Sequence, residues 1–290
     1  MIKAWILASR PKTLTAAVVP VMAATALVHA VGTGVQWWIS ALALLASLFI
    51  QIGTNFINDA IDFKKGADTA ERIGPTRVTA SGIISYKQVI TAASICFVLA
   101  VLCGIPLVIH GGIPILVIGL TSVFFGYGYT GGPFPLAYLG LGDLFVILFF
   151  GLIAVGGLVY LQMGTWPIEA MVLGLQIGLH CTILIAINNL RDVNQDKLAD
   201  KKTLPVRFGV SFARYEIALL CFIPFLMNLF WMKSGHLWAA TLPFLVLPLA
   251  VKLSHLVFKT EPSSQYNQFL AKGAGLHLLF GILLSIGLVL

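Results

Sequence analysis

Nine predominantly apolar runs, each near the length that crosses a bilayer, follow one another at roughly 13–32, 37–57, 88–109, 113–130, 141–162, 168–190, 212–232, 236–258 and 268–290. A crossing helix takes about 20 such residues, because the hydrocarbon core offers the backbone no hydrogen-bond partner but itself. Hydrophobic residues make up 59% of the 290 and charged ones only 10%, a balance no water-soluble domain tolerates. The expected fold class is an all-α integral membrane protein, a multi-pass bundle of about nine transmembrane helices.

The lysines and arginines orient that bundle. With the N-terminus inside, the cytoplasmic side receives Lys3, Arg10 and Lys12, then five basic residues from Lys64 to Lys87, six from Arg191 to Arg214, and finally Lys252, Lys259 and Lys272; only Lys233 falls outside. Such a skew is the positive-inside signature and fits an odd number of spans. The net charge of +7 therefore describes a cytoplasmic face, and no nucleic-acid partner is expected. The first run is kept as a span and not read as a cleaved signal, since eight further spans follow it.

Two polar segments stand at the ends of apolar runs: Asn58-Asp59-Ala60-Ile61-Asp62, and Asn188-Asn189-Leu190-Arg191-Asp192 with Asp196 beyond. Ionisable groups at membrane depth are costly and mark function, and acidic residues three or four apart share one helix face. An offset of 130 superimposes Asn58 on Asn188, Asp62 on Asp192, Pro75 on Pro205 and Arg77 on Arg207. Residues 1–290 are thus read as one membrane domain with two pseudo-repeated halves. Both tips fall at the cytoplasmic boundary, where a bundle can bring them face to face. Two acidic clusters repel unless a cation joins them, and Mg²⁺ commonly binds through one or two carboxylates plus substrate phosphates. Lysines and arginines in the same loops suit the free oxygens of a diphosphate. A diphosphate at a membrane boundary, attached to something that needs an apolar bundle, points to a polyprenyl diphosphate and to chemistry by ionisation in a water-poor cavity.

Other residues carry weaker signals. Cys96, Cys103, Cys181 and Cys221 lie in apolar runs without metal-type spacing, and no two of the six histidines stand at ligand spacing. Gly131-Gly132-Pro133 stops the fourth run. The turn that follows has no basic residue but offers Tyr127, Tyr129, Tyr138 and then Asp143, which suits contact with a substrate or, for the tyrosines, an interfacial belt.

These segments resemble the UbiA superfamily of intramembrane aromatic prenyltransferases, marked by an N-D-x-x-D first motif and a D-x-x-x-D second motif. The matching residues are Arg10-Pro11-Lys12, Asn58-Asp59-x-x-Asp62 with Lys65, Asp68, Arg72, Pro75 and Arg77, then Tyr129-Thr130-Gly131-Gly132-Pro133 with Asp143, and Asn188 through Asp192, Asp196 and Arg207. Within the superfamily the chain is most similar to the 1,4-dihydroxy-2-naphthoate polyprenyltransferases of menaquinone synthesis. The resemblance implies a nine-helix fold around a central cavity, Mg²⁺ as cofactor, and a cytoplasmic-side active site in the cell (inner) membrane, with the C-terminus outside. By the same carry-over, Asn58, Asp62, Asp192 and Asp196 hold the metal, and these four with Asp59 form the catalytic group. Arg10, Lys12, Lys65, Asp68, Arg72, Arg77, Tyr129, Asp143, Asn188 and Arg207 bind the polyprenyl diphosphate or the aromatic acceptor. Asp143 stands where glutamate is expected, Ala80 where glutamine is common and Asp200 where glycine is common, which leaves 4-hydroxybenzoate as an alternative acceptor.

A secondary transporter of an anionic metabolite is the reading from another class. The related runs point the same way across the membrane, so the repeat is parallel and not inverted, and the acidic residues sit at span ends and not at midplane. Both features favour the enzyme.

Overall fold

The computed structural model describes residues 1–290 apart from 33, 67–72, 76 and 134. The described residues form helices, with no strand among them: α1 Ile2–Ser9, α2 Thr15–Ala30, α3 Trp37–Lys64, α4 Tyr86–Gly128, α5 Leu136–Leu139, α6 Gly142–Met163, α7 Ile168–Arg191, α8 Val193–Leu198, α9 Leu204–Lys233, α10 Leu237–Lys259 and α11 Tyr266–Val289. Seven of these are long and apolar enough to cross a membrane, and α1 with α2, bent by 50°, makes an eighth.

The ninth crossing is hidden in α4. Its 43 residues would extend ~65 Å if straight, about twice the hydrocarbon thickness. Gly112 breaks it, with φ 69° and ψ −154° in a conformation that glycine tolerates. A Cβ on Gly126 would stand 3.0 Å from the Phe97 ring, so the two halves of α4 lie side by side as a hairpin. The expected runs at 88–109 and 113–130 are therefore its two arms. The helix starts with a reciprocal cap in which Gln88 N–H donates to Ser85 Oγ and Ser85 N–H donates to the Gln88 side chain.

Apolar burial drives no helix pairing inside lipid, so small residues and buried polar contacts hold the bundle. A Cβ on Gly151 would meet Gly174 O and the Gly178 backbone, so α6 and α7 pack backbone to backbone. That contact lies in a π-wound stretch of α6, Ile147–Ile153, a distortion frequent near functional sites. Further out, Trp231 Nε1 donates to Gln176 Oε1 at 2.6 Å, and Gln176 Nε2 donates to Asn228 Oδ1 at 2.9 Å, joining α9 to α7. Trp37, Trp38, Trp166 and Trp238 are exposed at helix ends away from the Asp motifs, where an aromatic belt meets the opposite bilayer surface.

One boundary differs from expectation with consequences for chemistry. The second apolar run, expected to end near 57, continues as helix to Lys64, so Asn58 and Asp62 project from the last turns of α3. Helical geometry then puts Gln51, Asn55, Asn58 and Asp62 on one face.

Candidate active site

That face of α3 meets the chain's first turn. Asn55 Nδ2 donates to Ser9 O at 2.9 Å and to Thr13 Oγ1 at 3.2 Å, pinning the link between α1 and α2. Arg10, within this link, adopts the left-handed conformation with φ 51°. For a side-chain-bearing residue this is strained, and it persists where surroundings hold it. Here the result is that the Arg10 guanidinium donates to Asn58 Oδ1 at 2.6 Å. Arg77 NH2 donates to the same oxygen at 2.7 Å and reaches Asp62 Oδ2 at 3.4 Å.

Asp62 is almost fully buried and collects donors from three directions. Besides Arg77, Tyr138 OH donates to Oδ1 at 3.1 Å and Lys201 Nζ approaches it at 3.4 Å. The ammonium groups of Lys65 and Lys201 both stand over the Tyr138 ring, 4.0 and 4.8 Å from its centroid. Lys65 also donates to Thr130 O at 3.0 Å. Its pKa is lowered, mainly by desolvation and further by Lys201, with Asp62 opposing.

The second motif is braced differently. Arg191, 1% exposed, donates from Nε to Asp192 Oδ1 at 2.7 Å and from NH2 to Asp192 Oδ2 at 2.6 Å, and NH2 also reaches Asn188 Oδ1 at 2.7 Å. This two-pronged pairing fixes the carboxylate's plane. Asp196, on α8, is pushed up to about 7, first by burial and then by Asp192 and Asp62, against the pull of Lys201. The carboxylates of the two motifs therefore sense one another.

Asn58, Asp62, Asp192 and Asp196 line a single cavity of about 200 Å³, together with Arg10, Arg77 and Lys201. Among the described residues, no three His, Cys, Asp or Glu side chains form a metal centre on their own. The donors present still fit Mg²⁺. They are hard oxygens from one amide and three carboxylates, and a substrate diphosphate would complete the shell.

Family comparison bears on what such a cavity does. The model of the UbiA prenyltransferase family matches residues 17–280. The chain belongs to that family. It is 32% identical over 302 residues to the 1,4-dihydroxy-2-naphthoate octaprenyltransferase of Haemophilus influenzae, covering 100% of this chain and 96% of the relative. The enzyme of the same name from Bacillus subtilis is 30% identical, with 97% and 91% covered. Among solved structures, a UbiA homolog from Aeropyrum pernix superimposes with a TM-score of 0.70 at 12% identity over 96% of both chains. A UbiA homolog from Archaeoglobus fulgidus, bound to DMAPP and Mg²⁺, gives 0.57 at 16% identity over 97% and 99%. This protein is thus an intramembrane prenyltransferase of the UbiA fold.

Several expected family positions lie elsewhere. Asp59, expected in the catalytic group, turns away from the cavity, and its two oxygens accept Thr79 N–H at 3.0 Å and Val78 N–H at 3.3 Å. These bonds tie the segment just after Arg77 to α3. Arg207, expected to match Arg77 across the offset of 130, is exposed and donates to Lys202 O at 2.9 Å and Leu139 O at 2.8 Å. The reason is local: residue 207 lies in the first turns of α9, whereas Arg77 lies in an irregular turn. Lys12 is exposed on the link after α1 and does not line the cavity. Asp143 is buried beside the cavity wall, with Asn189 Nδ2 at 3.5 Å from Oδ2, while Tyr129 and Asn188 line the wall itself. Burial raises the Tyr129 pKa, with Asp143 adding to the shift, so the phenol keeps its proton. Asp68 and Arg72 lie outside the described residues.

Sequence reasoning passed over Lys201, Arg191, Gln51 and Asn55. The first two stood among the basic residues of the motif segments without a site role of their own. The other two stand seven and three residues before Asn58, a helical spacing that would have found them had α3 been extended to Lys64.

Proposed function

We propose that the cavity ionises a polyprenyl diphosphate and delivers the allylic group to 1,4-dihydroxy-2-naphthoate, releasing CO₂ and diphosphate and giving demethylmenaquinol, a step of menaquinone biosynthesis. The observation that carries this reading is the convergence of both Asp motifs with Arg10, Arg77 and Lys201 on one cavity, in a chain similar along its length to enzymes named for that transfer.

Asn58, Asp62, Asp192 and Asp196 would hold Mg²⁺, which when bound supplies positive charge to the departing diphosphate. Arg10, Arg77 and Lys201 bind the remaining phosphate oxygens and stabilise charge as the carbon–oxygen bond breaks with both electrons passing to oxygen. The buried helix faces exclude water from the allylic cation. The electron-rich ring carbon that carries the carboxylate forms the new carbon–carbon bond. The bond to the carboxylate then breaks, its electrons restore aromaticity, and CO₂ leaves. A cavity of about 200 Å³ holds the charged head group, so the polyprenyl tail passes between helices toward lipid.

The same reading places the N-terminus and both motifs on the cytoplasmic side of the cell (inner) membrane and the C-terminus outside. It treats residues 1–290 as one domain of two related halves. The repeat is supported by the parallel use of Asn58 and Asn188, each accepting from a guanidinium.

The test is incubation of purified protein with Mg²⁺, a polyprenyl diphosphate and either dihydroxynaphthoate or 4-hydroxybenzoate, with the product weighed by mass spectrometry. A prenylated product lacking the carboxyl group, from dihydroxynaphthoate only, is expected. Turnover of hydroxybenzoate with the carboxyl retained would reject the acceptor assignment.

A further inference from the structure

The last helix, α11, carries neither Asp motif, yet one of its side chains touches the supports of both. Asn267 Oδ1 accepts from Arg191 NH1 at 2.8 Å, and its Nδ2 donates to Ile73 O at 3.1 Å. The other Arg191 donors go to Asp192 and Asn188 in the second motif. Ile73 lies in the segment between Asp62 and Arg77, and Arg77 in turn reaches Asn58 and Asp62 in the first. One planar amide, acceptor on one side and donor on the other, therefore joins the two halves from a third element.

That amide stands on a firmly seated helix. Tyr266 OH donates to Thr260 O at 2.9 Å and ties the start of α11 to the preceding turn. Gly273 brings α11 close to α7, where an added Cβ would lie 3.1 Å from Ile183 and 3.2 Å from Ile187. Leu270, one turn beyond Asn267, lines the cavity.

We propose that Asn267 is a positioning residue that sets the spacing of the two motif segments, and through Arg191 the aim of Asp192, for binding of the metal-diphosphate unit. Arg191 is held by Asp192, Asn188 and Asn267 together, so it cannot swing without unpairing a buried donor, which is costly. Groups that orient a ligand side chain typically matter 10- to 100-fold for affinity or activity at metal sites. This inference rests on the proposed use of the cavity for a prenyl diphosphate, not on the identity of the acceptor.

The experiment compares Asn267→Leu, which keeps size but removes both hydrogen bonds, with Asn267→Asp, which keeps the acceptor for Arg191 and removes the donor to Ile73. Binding of radiolabelled geranyl diphosphate to detergent-purified protein, with and without Mg²⁺, is measured beside the Michaelis constant for each substrate and the thermal midpoint. Asn267→Leu should weaken Mg²⁺-dependent geranyl diphosphate binding about 10- to 100-fold, with the acceptor constant near wild type and the thermal midpoint lowered but the protein still folded, and Asn267→Asp should fall between the two. The Leu substitution should cost little more when Arg191→Lys is already present, because coupled residues are not additive. Wild-type binding in the Leu variant, equal weakening for both substrates, or additive effects with Arg191→Lys would overturn the proposal. If the Leu variant does not accumulate, the Asp variant decides by the same criteria. Wild-type protein that binds geranyl diphosphate but does not prenylate dihydroxynaphthoate would reject the proposed acceptor and leave this test readable.

Discussion

Asp62→Asn separates the electrostatic account of the cavity from a merely structural one, because the substitution conserves shape and removes only charge. Asp62 is 2% exposed and faces Arg77 and Lys201, each at 3.4 Å. At an effective dielectric of about 20, one unit pair at that distance is worth roughly 5 kcal/mol before desolvation is set against it. Breaking a buried pair by removing one partner costs about 3–5 kcal/mol. The lower end is expected here, since Lys201 also senses Asp196. The thermal midpoint in detergent should therefore fall by several degrees with the fold retained.

The catalytic effect is separate. Loss of one strong electrostatic stabiliser typically costs about 10²- to 10³-fold, or ~2.7–4 kcal/mol. Turnover assayed at sub-saturating Mg²⁺ should drop by that factor. Without Mg²⁺ the sign reverses: removing a carboxylate beside two cations leaves the cavity more positive, so the variant should bind a prenyl diphosphate at least as tightly as wild type. Turnover within about threefold of wild type would refute a role in transition-state stabilisation of this size. Loss of metal-free binding in parallel with activity would show that Asp62 acts through structure alone.

The two arginines of the repeat should behave differently. Arg77→Ala should raise the apparent Michaelis constant for the prenyl diphosphate well above that for the acceptor, whereas Arg207→Ala should leave the ratio of the two constants unchanged because it holds backbone carbonyls outside the cavity. Asp59→Ala strips two backbone N–H groups of their acceptor and should lower stability by about 1–3 kcal/mol, read as a thermal shift; a stable but inactive variant would restore Asp59 to the catalytic group. In a cysteine-free background, single cysteines at Gly66 and Lys201 should react with an impermeant thiol reagent from the cytoplasmic face, and those at Gly34 and Gly164 from the other. Labelling of all four from one side would overturn the nine-crossing topology.

What the sequence determined by itself follows from the bilayer as solvent. Apolar runs must satisfy their backbones as helices, so the fold class, an all-α bundle of many membrane-crossing helices, was legible without coordinates. The two Asp motifs stood out as well, because ionisable groups at such depth are costly and rare, and Asn58, Asp62, Asp192 and Asp196 line one cavity. Even the break at Gly112 could be read, as the gap between two runs that the structure joins into one bent helix.

Tertiary structure decided where each side chain points. Asp59 and Asp62 stand three positions apart in one motif, only about 60° apart around the helix, and it is what packs against each that differs: Asp59 meets the backbone of residues 78 and 79, while Asp62 meets the cavity. Arg77 and Arg207 stand 130 positions apart, yet an irregular turn delivers one to Asn58 and a helix start carries the other outward. Lys201 and Asn267 have no motif to announce them. They reach the site because separate helices are packed beside it, and a contact between residues 139 or 194 positions apart is a property of packing and not of spacing along the chain.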